Sequence, residues 1–155
     1  MTIPVENAIA SLSLTNNALK RYSKKKSFLA KELAKINPIS IRNGFKYSLL
    51  EGLLGNYGID REELIQVSRI APATLNRRKQ QGQLTSLESD KVYRLMTILY
   101  AAENLFEGDK LKALYWCRKP AKGLGDQKPI DFVDTTAGQD LVMDYIGRIE
   151  HGIIT

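Results

Sequence analysis

In PATLNRRKQQGQ, residues 72–83, three cations stand side by side, Arg77, Arg78 and Lys79, and no acid accompanies them. Arginine, asparagine and glutamine side chains projecting from one helix supply the hydrogen bonds that read base edges in a DNA major groove, while neighbouring cations meet phosphates. With Leu75 pointing to a core, a rotation of about 100° per residue puts Ala73, Thr74, Asn76, Arg77, Gln80 and Gln81 on the outer face. Arg78 and Lys79 fall towards the flanks, within reach of phosphates. The expected DNA-binding set is therefore Ala73, Thr74, Asn76, Arg77, Arg78, Lys79 and Gln80. The competing reading is a solvated surface helix. Such a helix ordinarily mixes Glu with Lys, and this one contains neither Glu nor Asp.

Other chemistry finds little material. One histidine, His151, and one cysteine, Cys117, build neither a metal cluster nor a Cys–His dyad within the chain. His151 beside Gly152 suits a helix C-terminus, where the dipole favours a cation, and Cys117 beside Trp116 suits a small buried position. GLLGNYG is glycine-rich but lacks the Lys-Ser/Thr of a phosphate loop. Asp131, Asp134, Asp140 and Asp144 are scattered, and Asp144 has the spacing to pair with Arg148. No enzymatic activity, metal or cofactor is expected. A lone cysteine excludes an internal disulfide and suits a reducing cytoplasm. No apolar run approaches the roughly 18–20 residues of a membrane span, and MTIPVENAIASLSL lacks the basic start of a secretory signal. The expectation is a cytoplasmic protein without a membrane partner.

The elements that must position the cationic stretch are helical throughout, so the expected fold class is all-α. Phe28, Leu29, Leu33 and Ile36 fall at helix spacing before Pro38. Phe45, Leu49, Leu50, Leu53 and Leu54 form a second stripe, closed by Gly55 and Gly58. Asp60 and Glu63 make a capping pattern for a short helix with Leu64, Ile65 and Val67 on its apolar face. After a break at 68–71, Pro72 opens the cationic helix and Gly82 closes it. Two short helices joined by about four residues read as a helix-turn-helix. Thr85 and Glu88 then cap a long helix with a stripe of Val92, Leu95, Met96, Leu99, Ala102 and Phe106. A shorter helix from Asp109 to Lys119 has Leu111, Leu114 and Tyr115 on one side. Thr136 and Gln139 are expected to cap a last helix with Leu141, Val142, Tyr145, Ile146 and Ile149. The net charge of +6 is uneven: residues 1–46 hold nine Lys or Arg against two acids. We expect a basic flexible arm over residues 1–42, a helix-turn-helix and dimerisation domain over 43–108, and a third domain over 109–155.

TLNRRKQQGQLTSLESDKVYRL, followed by ALYWCRKPAKGLGDQKPIDFVDTTAGQDLVMDYIGRIEHG, resembles the Xre/MbcA/ParS family of antitoxins, the DNA-binding partners of type II toxin–antitoxin pairs. The resemblance runs from about Gly52 to Gly152. It rests on TLNRR, ESDK, W-x-x-x-P from Trp116, L-G-x-x-x-P from Leu124 and R-I-x-x-G from Arg148. It implies a Cro/C1-like helix-turn-helix followed by a helical toxin-binding C-terminal region. It further implies a cognate RES-domain toxin that consumes NAD, or a related ADP-ribosyltransferase-fold toxin, and autoregulatory binding at the operator. Two positions depart from the family pattern. Ala71 stands where a Ser or similar cap is usual, and Asp126 replaces a second glycine.

Toxin contact is assigned to Trp116, Lys119, Leu124 and Pro129, and at the C-terminal end to Arg148, Glu150, His151, Gly152, Ile153, Ile154 and Thr155. For Trp116 a core anchor and an interface hot spot both stay open. Gly152 is expected to release IIT as an extended tail. Its carboxylate, with Glu150, would meet cations in a site built for an anionic dinucleotide; alternatively Ile153 and Ile154 fold back on their helix. One helix-turn-helix covers few base pairs, so a homodimer is expected on paired half-sites, with the helix from Ser86 to Phe106 contributing. The rival function is a stand-alone helix-turn-helix transcriptional regulator whose C-terminal region senses a ligand or dimerises.

Overall fold

The computed structural model describes residues 27–153. Its helices are α1 (Phe28–Leu33), α2 (Pro38–Asn43), α3 (Tyr47–Tyr57), α4 (Arg61–Ser68), α5 (Pro72–Gln81), α6 (Ser86–Leu105), α7 (Lys110–Cys117) and α8 (Thr136–Glu150). Short 3-10 turns at Lys122–Leu124 and Pro129–Phe132 join α7 to α8. Among the described residues there is no β-strand; isolated bridges pair Lys46 with Gln83 and Ala121 with Gln127. The fold is all-α, as expected.

Local chemistry starts and stops these helices. Thr85 accepts from the Glu88 N–H while the Glu88 carboxylate accepts from the Thr85 N–H at 2.8 Å, so two donors that the helix cannot satisfy find partners. Asp60 caps α4 by accepting from Glu63 N at 2.8 Å. The cap of α8 lies one residue before the expected Thr136: Thr135 accepts from Gly138 N at 3.0 Å.

The long helix α6 is the axis of the molecule. Val92, Leu95, Met96, Ile98, Leu99 and Ala102 are buried on it, and α1, α2, α7 and α8 all pack against it. The expected dimer contribution of this stripe is corrected accordingly: its own chain consumes it, leaving Leu87 at the N-terminal end exposed.

The boundary of the expected arm is also corrected. Residues 27–42 belong to the fold. Ser27 caps α1, and Leu29 is fully buried in the main core. Gly52 of α3 makes this approach possible, because a Cβ there would come within 3.2 Å of the Phe28 ring. Pro38, read as a stop, is also a start. It occupies the first turn of α2 behind a reciprocal cap between Asn37 and Ser40, where a missing N–H costs nothing. Gly44 then passes so close to the Leu84 carbonyl that a Cβ would sit 2.1 Å from its oxygen. The basic residues Lys20, Arg21, Lys24, Lys25 and Lys26 lie outside the described residues.

A third correction concerns α7. Its buried face is Ala113, Leu114, Trp116 and Cys117, whereas Leu111 is 79% and Tyr115 48% exposed. Two overlapping stripes share Leu114, and the one carrying the larger Trp116 surface wins the core. Leu141 of α8 is likewise exposed, while Val142, Ile146 and Ile149 are buried.

Candidate functional site

The cationic helix is α5, held by one buried side chain, Leu75. Its N-terminus follows a left-handed residue, Arg69 at φ 54°. Pro72 sits in the first turn, and Ala71 offers no side-chain cap, so the departure from the family pattern leaves that end without a side-chain acceptor. Gly82, at φ 75°, closes the helix with its N–H on the Arg78 carbonyl. Ala73, Asn76, Arg77, Lys79 and Gln80 are exposed, and Thr74 is half-buried. They share the solvent side of α5 with no carboxylate of the same helix among them.

Arg78 does not join them. Its Nε donates to both Glu88 oxygens at 3.0 and 2.7 Å, its Nη1 reaches Gln81 Oε1 at 2.9 Å, and only 14% of its side chain is accessible. Burial alone would raise the Glu88 carboxyl, but the Arg78 guanidinium and the Thr85 donors hold it below its usual range. The expected phosphate contact of Arg78 is thus corrected to a tie between α5 and the start of α6. A residue absent from the expected set stands beside the face instead. Arg61 donates from Nη2 to Asn76 Oδ1 at 2.6 Å and to the Pro72 carbonyl at 3.0 Å. No local pattern signals this, because only the crossing of α4 and α5 brings the two together.

The C-terminal residues divide into buried and exposed groups. Trp116 is 7% exposed, stacked on Tyr145 with centroids 6.2 Å apart and tilted against Phe106 at 6.3 Å. Gly123 admits the Tyr145 ring where a Cβ would lie 2.2 Å away. Leu124 and Pro129 are buried as well. These three shape the surface from beneath, so direct contact through them is corrected. Asp126, in place of glycine, adopts φ 60°, a conformation that aspartate tolerates better than most side chains. Burial pushes the Cys117 thiol up to about 12, which makes it inert.

Lys119 is exposed, its Nζ 4.7 Å from the centre of the Tyr115 ring. Arg148 pairs with Asp144 at 2.9 Å. Glu150, His151, Gly152 and Ile153 are exposed. Gly152, at φ 68°, does not simply release the chain. Its N–H bonds to Ile149 O at 3.0 Å and the Ile153 N–H to Arg148 O at 2.9 Å, the two bonds of a Schellman closure. Ile154 and Thr155 lie outside the described residues.

Several ties bind the two ends of the chain into one body. Arg118, just after α7, forms a fork with Glu63 of α4 at 2.7 and 2.6 Å. Arg69, in the turn between α4 and α5, pairs with Asp134 at 2.9 Å. Arg94, buried on α6, donates to the Val133 carbonyl at 2.8 Å.

Residues 40–96 match the antitoxin Xre-like helix-turn-helix domain, and residues 101–152 match the antitoxin Xre/MbcA/ParS C-terminal toxin-binding domain. The chain is 35% identical over 117 residues to Antitoxin Xre of Yersinia enterocolitica serotype O:8 / biotype 1B, covering 75% of this chain and 79% of the relative. It belongs to the Xre/MbcA/ParS family of antitoxins. Antitoxin Xre of Photorhabdus laumondii subsp. laumondii is 31% identical over 116 residues, 74% of this chain and 78% of its own. The Prs ADP-ribosylating antitoxin of Sphingobium sp. is 26% identical over 138 residues, 81% of this chain and 87% of its own. This antitoxin therefore carries its helix-turn-helix in α4 and α5, and the two matched spans meet inside α6, which serves both.

Proposed function

We propose that this antitoxin neutralises a RES-domain, NAD-consuming toxin by covering its active site, and binds operator DNA as a homodimer to regulate its own operon. The observation that carries the neutralising role is the end of α8. A Schellman closure is commonly accompanied by an apolar contact between the residue after the glycine and the third residue from the helix end. Here those residues are Ile153 and Arg148, so the isoleucine lacks an apolar mate and is 60% exposed beside Glu150 and His151. Burying its still exposed area in a partner's cleft contributes about 1–2 kcal/mol. The toxin-binding domain match over the same residues favours this reading over a stand-alone regulator.

Two lines support an NAD-directed partner. The family resemblance implies RES toxins, which consume NAD, and the Sphingobium relative is named for ADP-ribosylation, which also draws on NAD. The DNA role is supported by the acid-free outer face of α5. A single helix-turn-helix reads few base pairs, so two copies on adjacent half-sites supply the affinity. Co-expression with the neighbouring reading frame, followed by co-purification and an NAD-consumption assay, tests the proposal. The free partner is expected to consume NAD and the complex to be silent. A partner that consumes NAD equally fast with saturating antitoxin overturns it.

A further inference from the structure

Among the described residues four glycines lie inside α-helices: Gly52 and Gly55 of α3, and Gly138 and Gly147 of α8. The chain itself explains two of them. A Cβ at Gly52 would come within 3.2 Å of the Phe28 ring, and one at Gly138 within 2.6 Å of the Phe132 carbonyl oxygen. At Gly55 and Gly147 a Cβ would meet nothing within 4 Å. Gly55 follows Leu54, whose carbonyl accepts the closing bond of α3 from the Gly58 N–H, so little of that helix depends on it. Gly147 is different. Its carbonyl accepts from the His151 N–H at 3.1 Å, so α8 runs unbroken through it. There glycine weakens the helix, because its backbone loses more freedom on folding than that of any other residue, and alanine would serve better. α8 keeps a glycine that its own fold does not use.

On a helix surface glycine has one distinct use: it lets a foreign backbone approach closer than a side chain would permit. Helix spacing places Met143 and Glu150 beside Gly147, with Asp140 two turns before it, and all three are exposed. Asp144, also exposed, is paired with Arg148. The outer face of α8 is therefore acidic around an apolar notch, and that charge selects among partners. A second copy related by a two-fold axis would set these acids against their own equivalents, and DNA would be repelled. A cleft that holds NAD, an anionic dinucleotide, carries cations and fits. The match to the toxin-binding domain spans this face, and the same helix ends in the exposed Ile153. We infer that the toxin's backbone packs directly on α8 at Gly147, with Met143 at the edge of the contact and Asp140 and Glu150 meeting cations at the mouth of the cleft. The inference rests on the neutralising role proposed above.

Its signature is a substitution that strengthens the fold and weakens the complex. The product of the neighbouring reading frame, tagged and kept limiting, is produced together with wild type and one full-length variant at equal levels. Mass spectrometry reads the ratio captured on the tag, and circular dichroism follows the melting of each antitoxin alone. Gly147→Ala is expected to raise the melting temperature by about 1–4 °C. It is nevertheless expected to be captured at least about fivefold less than wild type, the effect of an added carbon in a well-packed contact. Gly147→Gln, a good helix former with a longer side chain, is expected to be captured less still. Gly55→Ala, which fills the other open glycine, is expected to be captured as wild type is. If the tagged product captures no antitoxin, wild type included, the neutralising role and this inference are overturned together. Equal capture of Gly147→Ala, a melting temperature below that of wild type, or an equal loss in Gly55→Ala overturns the close approach at Gly147 while neutralisation stands.

Discussion

Arg77 and Arg78 are adjacent and chemically identical, yet one faces solvent and the other is spent on Glu88. Periodicity placed them a third of a turn apart without revealing the difference, because Glu88 stands ten residues on and meets Arg78 only through tertiary packing. The pair has a pH signature. The Glu88 carboxyl is held below its ordinary value of 4.5, so its contribution to stability is complete above that pH. It disappears as pH falls through the lowered folded value. Glu88→Gln is therefore expected to melt below wild type at pH 7, with the gap narrowing as the pH is lowered below 4.5, as read by circular dichroism. A gap independent of pH would remove the ion pair from the explanation. A second buried pair gives a plainer prediction. The Tyr57 hydroxyl donates to Glu103 at 2.5 Å, both residues being almost wholly buried. Tyr57→Phe leaves that carboxylate without its donor and is expected to cost about 1–3 kcal/mol in urea unfolding.

At the scale of elements, capping boxes, prolines and glycines announced α4, α5 and α6 closely. The signals fail where an element is short or two stripes compete. Six residues of α1 carry too little periodicity to separate a folded helix from a charged arm, yet Leu29 places them in the core. Removing residues 1–43 is therefore expected to abolish the cooperative melting transition. Removing residues 1–26, with a sequence charge of +4, is expected to keep the transition and to lower DNA affinity mainly at low salt, where screening is weakest. In α7 the pattern of Leu111, Leu114 and Tyr115 satisfies helix spacing as well as the true core face, and only side-chain size decides between them. For α5 the expectation is direct. Arg77→Ala with Lys79→Ala should abolish selective operator binding and reduce the salt dependence by about one unit of slope per lost phosphate contact. A folded double variant with unchanged operator binding contradicts the assignment of α5.

For the molecule as a whole, α6 runs through both units, and Arg118–Glu63, Arg69–Asp134 and Arg94–Val133 tie the C-terminal half to the helix-turn-helix. These ties join residues 39 to 65 apart in sequence, which is why no local pattern foretold them. The result is one body with an acid-free outer face on α5 and an exposed C-terminal segment at the end of α8. The end of α8 was legible from Gly152; that its final turn closes on Arg148 was not, because a C-terminal glycine permits either a left-handed closure or a released tail. Growth of cells producing the cognate toxin tests the separation of these two surfaces most directly, with the antitoxin supplied at equal levels either complete or ending at Ile149. The shortened chain is predicted to fold and bind its operator as wild type does, yet to leave growth arrested. Full restoration of growth by the shortened chain would contradict blockade by the end of α8.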